Sequence, residues 1–208
     1  MNRTTLSALL GLALALAAAP AAQAAESPLS YTYVEAHYNN LNIDVVDDLD
    51  LSGNGGGINA SLAFGESDFY GFAGYETASG EFVDVDFDLG RLTGGVGYAL
   101  PIDERLHVLG EVAYVDYRGE ASRDGESEDA NVDGYRVSVG LRGLMADNLE
   151  GIAKIGYTLV EDSGYTLFDG AVAEMGVRWH IDRAWSAGLS TELGDGINSF
   201  KLGLRLQW

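Results

Sequence analysis

Cysteine is absent from the 208 residues, so no disulfide can stabilise the fold. Proline occurs three times, and two of these residues, Pro20 and Pro28, lie near the N-terminus. Only 12 Lys and Arg residues oppose 32 Asp and Glu residues. This balance argues against a nucleic-acid partner, because phosphate contacts need a basic surface. Beyond the N-terminal region, no run approaches the roughly 18 apolar residues of a membrane-spanning helix.

The N-terminal region has the three parts of a signal peptide. Asn2 and Arg3 form a short polar and positive start, and residues 8–19 form a weakly apolar run that is too short to span a bilayer. Ala22, Gln23 and Ala24 match the small-x-small cleavage pattern. We therefore predict a cleaved signal peptide at 1–24 and a single exported domain at 25–208.

Apolar and polar residues alternate with a period of two along most of this domain, and no helical period competes with the alternation. Such alternation is typical of strands with one apolar face. The alternating segments are 31–38, 54–64, 68–77, 87–100, 106–118, 132–145, 149–160, 170–181, 185–193 and 199–208. The sequence therefore predicts an all-β fold with ten strands.

The connections between these segments fall into two classes. One class is short: 65–67, 101–105, 146–148 and 182–184. The other class is mostly longer and acidic: 39–53, 78–86, 119–131 and 161–169, with 194–198 as a short exception. Outer-membrane barrels place short turns on one side and long loops on the other. We predict a closed antiparallel up-and-down transmembrane β-barrel of ten strands, with eight as the alternative because segment 31–38 and region 78–88 are the weakest.

One face of every predicted strand is free of charged residues, as a lipid-facing row must be. Aromatic residues then fall at both ends of these rows. Those near the long connections are Tyr38, Tyr75, Tyr114, Tyr135, Tyr157 and Phe200. Those near the short turns are Phe64, Phe69, Tyr98, Trp179, Trp185 and Trp208. The rows predict a lipid-facing band between two aromatic girdles.

The sequence ends in FKLGLRLQW, an alternating strand with an aromatic last residue. Its apolar row consists of Phe200, Leu202, Leu204, Leu206 and Trp208. This row resembles the C-terminal signal that the barrel-insertion machinery reads in outer-membrane proteins. Together with the N-terminal stretch LSYTYVEAHY, it resembles small proteobacterial outer-membrane barrels of the porin-like superfamily that includes the membrane domain of OmpA. The resemblance implies a place in the bacterial outer membrane and a role in scaffolding, adhesion or passage of small solutes.

The opposite faces of the predicted strands carry charges of both signs, although the chain as a whole is acidic. These inward residues are Glu35, Arg91, Glu111, Arg136, Arg142, Glu150, Lys154, Glu174, Arg178, Glu192, Lys201 and Arg205. Counting from the turns puts four of them at similar heights: Lys154, Glu174, Glu192 and Lys201. Glu35 should lie across the closing seam, within reach of Lys201 or Arg205. We predict an ion-pair network inside the lumen, centred on Glu174 and Glu192, that narrows or plugs the pore.

Most of the remaining acidic residues fall in the long connections. They form either a solvated rim that opposes aggregation or a rim that binds Ca²⁺ or Mg²⁺ loosely and bridges to lipopolysaccharide phosphates. Asp47, Asp48 and Asp50 are the candidate metal ligands. No other cofactor is expected.

The sequence offers little for catalysis. No G-x-S-x-G motif is present, and His37 beside Asp44, Asp47 and Asp48 is the nearest approach to the site of a barrel hydrolase. We therefore expect no enzymatic activity. The expected role is envelope structure or limited passage of small solutes. The alternative is a surface adhesin or host-interaction protein that acts through 39–53 and 119–131.

Overall fold

A computed structural model describes residues 29–46, 49–82, 85–123, 126–162, 165–194 and 197–208. These residues form ten β-strands. The strands are β1 (Tyr33–Val46), β2 (Leu49–Ala63), β3 (Phe69–Phe82), β4 (Val85–Asp103), β5 (Leu106–Arg123), β6 (Glu126–Ala146), β7 (Leu149–Asp162), β8 (Tyr165–His180), β9 (Trp185–Gly194) and β10 (Ile197–Gln207). None of the described residues belongs to a helix that is long and apolar enough to cross a membrane. The predicted signal peptide at 1–24 lies outside the described residues and stays a prediction.

Each strand pairs antiparallel with its neighbour in sequence, and β1 pairs with β10 to close the barrel. Along this seam Tyr33 pairs with Gln207, and the ladder continues to Ile43 and Ile197. Closure leaves no free sheet edge, so every strand finds hydrogen-bond partners on both sides. The predicted closed ten-strand barrel is confirmed, and the eight-strand alternative is excluded.

The strands are longer than the alternation predicts. β1 and β2 extend through most of 39–53, and β5 and β6 extend through most of 119–131. The prediction that 39–53 and 119–131 are long connections between strands was therefore wrong. Apolar alternation stops where both faces of a strand meet water, but the backbone ladder continues beyond that point. The β5–β6 ladder, for example, runs unbroken to Arg123 and Glu126.

The residues predicted to face lipid lie on the outside of the barrel and are exposed, among them Val96, Val139, Ile155 and Leu202. On β5 and β6 the band ends at Tyr114 and Tyr135, whose rings pack edge to face with centroids 5.8 Å apart. The next outward pair along the ladder is Asp116 and Asp133. This change from tyrosine to aspartate marks the limit of the apolar band at the end away from the short turns, which we call the upper end. The strands above it form a polar extension of the barrel.

The connections at the other end are tight. Gly65, in the turn between β2 and β3, has a φ of 62°, a conformation that glycine adopts without steric cost. β4 and β5 are joined through Glu104 and Arg105, and β6 and β7 through Asp147 and Asn148. Short turns at this end fix the registers of the hairpins, and the registers set the height of each inward side chain.

Candidate functional site in the barrel lumen

The lumen contains all twelve inward charged residues that the sequence predicts, and ion pairs join them. The basic members are Arg91, Arg136, Arg142, Lys154, Arg178, Lys201 and Arg205, and the acidic members are Glu35, Glu76, Glu111, Glu150, Glu174 and Glu192. The sequence analysis did not predict Glu76 as a lumen residue. The alternation could have identified it, because Tyr75 faces outward on β3 and its neighbour Glu76 must therefore face inward. The pairs form four clusters, and the ladder registers place Glu174 opposite both Lys154 on β7 and Glu192 on β9.

The upper cluster surrounds Glu192 and Glu76. Arg91 Nη1 donates to Glu192 Oε1 at 2.5 Å, and Arg136 Nη1 donates to Glu192 Oε2 at 3.2 Å. Arg91 also contacts Glu76, whose carboxylate lies 2.8 Å from Lys201 Nζ. Arg91 lies on β4 and Glu192 on β9, which are diametrically opposite in the ten-strand ring. The upper cluster therefore ties opposite walls of the barrel together.

On β2, the absence of a side chain at Gly57 leaves space for the side chains of the upper cluster. A Cβ atom at Gly57 would lie 2.5 Å from the Tyr75 carbonyl oxygen and 2.7 Å from Glu76 Cβ. It would also lie 2.8 Å from Cε1 of His37, the histidine whose Nε2 is 3.3 Å from Glu76 Oε2. His37 thus lies inside the lumen beside Glu76. The absent side chain at Gly57 permits this close approach of three strands.

The middle cluster is centred on Lys154. Its Nζ lies 3.1 Å from Glu111 Oε2 and 2.8 Å from Glu174 Oε2. Glu111 also accepts hydrogen bonds from the Tyr70 hydroxyl at 2.7 Å and from the Ser138 hydroxyl at 3.2 Å. Glu174 is the most exposed lumen acid in these pairs, at 30%. Glu174 and Glu192 thus lie in different clusters, and Glu174 lies at the periphery of its own.

The lower cluster joins three strands through Glu35. Its Oε2 accepts from Arg178 Nη2 at 2.5 Å and from Arg205 Nε at 2.8 Å. The Arg205 guanidinium also stacks over the Tyr33 ring at 3.6 Å from the centroid. A Cβ at Gly203 would lie 2.8 Å from Glu35 Oε1, so glycine leaves space for the carboxylate. Of the two bases expected near Glu35, Arg205 binds it and Lys201 binds Glu76.

The short-turn end of the lumen contains a fourth, more deeply buried cluster. Arg142 forms a bidentate salt bridge with Glu150, with N–O distances of 2.9 and 3.0 Å. His180 Nε2 lies 3.1 Å from the same carboxylate. The remaining Arg142 nitrogen, Nη1, donates to the Ser30 carbonyl at 2.9 Å. Arg142 therefore anchors the segment that precedes β1.

That segment, residues 29–32, enters the barrel at the short-turn end, where Leu29 and Ser30 are buried, and we call it the entry plug. The Tyr31 ring stacks on Tyr70 at 4.8 Å and lies under the Arg142 guanidinium at 4.6 Å. Burial raises the pKa of Tyr31 to about 12, so the hydroxyl keeps its proton near neutral pH. Ser30 donates to the Trp208 carbonyl at 3.0 Å, which ties the entry plug to the end of β10. Phe72, Leu109 and Ile152 pack with Tyr31 and Tyr70 around it.

The residues of the expected insertion signal face outward. Phe200, Leu202 and Leu204 are exposed on β10, while the Trp208 amide donates to the Thr32 carbonyl at 3.2 Å. Leu206 pairs with Val34 on β1 and with Trp185 on β9. The row thus lies on the outer face of the closing strand.

Of the three candidate metal ligands, only Asp50 belongs to the described residues. Asp47 and Asp48 lie outside the described residues, and Asp50 lies on β2 opposite Asp44. Among the described residues, no group of three His, Asp or Glu side chains is arranged to hold a metal ion.

Comparison with known families gives the decisive observation. The family model described as "Outer membrane protein beta-barrel domain" matches residues 10–195. The chain belongs to this family. Its place is therefore the bacterial outer membrane, and the outward rows of this outer-membrane barrel face lipid. A search of curated protein sequences found no match.

Two solved structures with TM-scores above 0.5 share the fold. The transport unit of the autotransporter AIDA-I from Escherichia coli has a TM-score of 0.57 and 12% identity, covering 95% of this chain and 96% of that one. The translocator domain of the autotransporter NalP from Neisseria meningitidis has a TM-score of 0.51 and 12% identity, covering 99% and 97%. Neisserial surface protein A has a TM-score of 0.49 and 14% identity, covering 86% and 98%. At these identities the likeness concerns the fold alone.

Proposed function

We propose that this outer-membrane barrel is a structural protein of the envelope whose lumen is closed to steady solute flow, and that it has no enzymatic activity. The observation that carries the proposal is the Arg91–Glu192 pair, which spans the lumen between opposite walls at 2.5 Å. A ten-strand barrel is wider than the eight-strand barrels that side chains just fill. The ion pairs occupy that additional width.

Opening the lumen would require several of these pairs to separate together. Breaking one buried pair by removing a partner costs about 3–5 kcal/mol, and less where water reaches it. The upper cluster alone joins Arg91, Arg136 and Lys201 to two acids. Solute passage is therefore limited to species small enough to move between the clusters, where the lumen leaves a cavity of about 210 Å³.

The entry plug supplies a second barrier at the periplasmic end. Tyr31 lies across the mouth between Tyr70 and Arg142, so the two barriers are in series. In this arrangement, removing either barrier alone leaves the other in place. This predicts that single substitutions open the lumen less than a combined one.

Conductance in planar lipid bilayers tests the proposal. We expect no steady conductance from the wild-type protein, brief openings from Glu192→Gln, and a steady leak when Glu192→Gln is combined with Tyr31→Ala. Asp133→Asn is the matched control, because it removes one acid from the outer face above the tyrosine girdle. Steady, ohmic conductance of the wild-type protein would refute the closed lumen, and the inward bases would then line an anion-preferring pore.

Surface adhesion is the second candidate function, favoured by the polar extension of the barrel. The β5–β6 hairpin carries exposed acids well above the girdle, including Glu120, Glu128 and Asp129. Such a hairpin can present a negatively charged surface to a basic ligand on a host or another surface. Replacing 119–131, and separately 39–53, with short turns should abolish cell binding to host surfaces if adhesion is the function. Unchanged binding would exclude it.

We further propose two sets of envelope partners. The outward row of β10, from Phe200 to Trp208, is the segment for recognition by the barrel-insertion machinery. The acidic extension is the surface for lipopolysaccharide, with Ca²⁺ or Mg²⁺ as the required bridge because carboxylates and phosphates repel each other directly.

A further inference from the structure

The extracellular half of the lumen contains a second cavity of about 330 Å³, which we call the upper chamber. Its walls are apolar side chains from several strands, including Leu41, Ala78, Leu89, Val132 and Val160. Its floor is formed by Glu76, Arg91 and Glu192 of the upper cluster. The lining includes Gly119 and Ala130, which pair with each other in the β5–β6 ladder. This pair lies farther from the short turns than the Tyr114–Tyr135 pair. The upper chamber therefore extends toward the external end of the barrel.

Apolar walls are unexpected at this place. A lumen that serves only to hold ion pairs and water has no need for aliphatic side chains above its charged layer. Small-molecule sites, by contrast, combine mostly apolar walls with a few polar groups, in volumes from roughly 300 Å³ upward. The upper chamber has both features.

Two buried polar atoms in the lining have no hydrogen-bond partner: Asn39 Oδ1 and Ser199 Oγ. Asn39 is 4% exposed and Ser199 is 7% exposed. Buried polar atoms in proteins are nearly always paired, and leaving one unpaired costs about 1–3 kcal/mol. Ser199 lies opposite Glu192 in the β9–β10 ladder, and Asn39 lies opposite Lys201 in the β1–β10 ladder. Both residues are therefore placed near the charged floor.

We propose that the upper chamber binds a small neutral amphiphile, an aliphatic molecule with one hydroxyl or amide donor at its end. The aliphatic part contacts the walls, and the head lies at the floor beside Asn39 and Ser199. Its hydrogen bonds to Asn39 Oδ1 and Ser199 Oγ require these two side chains to turn toward the upper chamber. A neutral head is required because the acids and bases of the floor already pair with one another. A carboxylate would meet Glu76 and Glu192, and an ammonium would compete with Arg91.

This assignment goes beyond the closed-lumen function and does not depend on it. With a closed lumen, the upper chamber is a dead-end site that the molecule enters and leaves from outside the cell. With a conducting lumen, the same contacts would form along a path. Binding and conductance are measured separately, so the failure of one proposal can be told from the failure of the other.

The test uses the folded full-length barrel in lipid nanodiscs with labelled Leu and Val methyl groups. 1-Octanol and n-octane are titrated, because they share a chain and differ in the hydroxyl donor. Methyl shifts of Leu89, Val132 and Val160 report the upper chamber, and those of Val96 and Leu202 report partition into the surrounding lipid. We expect saturable chamber shifts with octanol, and an affinity for octane weaker by about fivefold to tenfold, the size of one hydrogen bond.

Two variants sharpen the result. Ala130→Trp fills the outer part of the upper chamber from an exposed position and should abolish the chamber shifts. Asn39→Leu removes the acceptor and should make the affinities for octanol and octane equal. If this variant does not fold, Ser199→Ala is used in its place. Chamber methyls that shift no more than Val96 and Leu202 would overturn the proposal. So would equal affinities of the wild-type protein for octanol and octane, since the two unpaired atoms would then have no part in binding.

Discussion

Replacing Glu192 with glutamine tests whether the upper cluster stabilises the barrel. The substitution keeps the size of the side chain and removes its charge. Arg91 retains Glu76 as a partner. Arg136 loses the only acid it is paired with among the described residues and keeps hydrogen bonds to the hydroxyls of Thr158 and Tyr117.

The expected loss follows from this difference between the two arginines. An orphaned charge in a buried pair costs about 3–5 kcal/mol, and the adjoining cavity admits some solvent, so we expect the free energy of unfolding to fall by about 3 kcal/mol. Glu174→Gln is the matched control. Glu174 is 30% exposed, and its partner Lys154 keeps Glu111 at 3.1 Å. Its loss should stay below about 1 kcal/mol.

Denaturant unfolding in lipid vesicles measures both values. Trp179, Trp185 and Trp208 lie near the short-turn end of the outer face, so their fluorescence reports exit from lipid. Adding Arg136→Gln to Glu192→Gln should restore part of the lost stability, with a coupling energy of about 1–3 kcal/mol. If the stability of Glu192→Gln falls within about 0.5 kcal/mol of wild type, as for surface changes, the upper cluster neither stabilises the barrel nor holds its lumen closed.

Three further predictions concern the barrel wall and its extension. Gly57→Ala should lower the unfolding midpoint because its Cβ would lie 2.5 Å from the Tyr75 carbonyl oxygen, whereas Gly94→Ala, with no atom within 4 Å, should not; equal midpoints would contradict the packing of β2. Ile155→Arg, at a lipid-facing site that is 67% exposed, should cost about 2–4 kcal/mol in vesicle unfolding, and Ser79→Arg above the girdle about 0–1 kcal/mol. Millimolar Ca²⁺ should raise the thermal unfolding temperature more than NaCl of equal ionic strength, and equal effects would leave only a solvated rim.

The lipid-facing half of the fold was predictable because the bilayer imposes a rule on every outward position. The rows ending at Tyr114 and Tyr135 were found from the absence of charge alone. The upper ends of the strands could not be predicted in this way, because water contacts both faces of a strand above the girdle and excludes no residue type there. The polar extension therefore looked like loops.

The composition of the lumen was largely predictable, and its pairing was not. Parity assigns a side chain to the interior, but its partners depend on the heights that the ladder registers set around the closed ring. Lys201 was expected near Glu35 and lies against Glu76, because the β1–β10 register places it opposite Asn39, four residues above Glu35. The unpaired atoms of Asn39 and Ser199 had no signal in the sequence, since their isolation arises only from the surrounding walls.

The pairing across the lumen has a consequence for how the barrel assembles. Neighbouring strands can form hairpins locally, but Arg91 and Glu192 are 101 residues apart and meet only when the sheet has curved into a full ring. Glu35 and Arg205 likewise meet only when β1 and β10 join. Before that moment the charges of these two pairs lack each other and must stay hydrated, whereas pairs between neighbouring strands, such as Arg142–Glu150 on β6 and β7, can already form. A half-formed sheet therefore keeps part of its interior wet. Pairing of β1 with β10 and expulsion of this water thus occur as one cooperative event. Closure is therefore a late step of assembly, and partly formed barrels are short-lived.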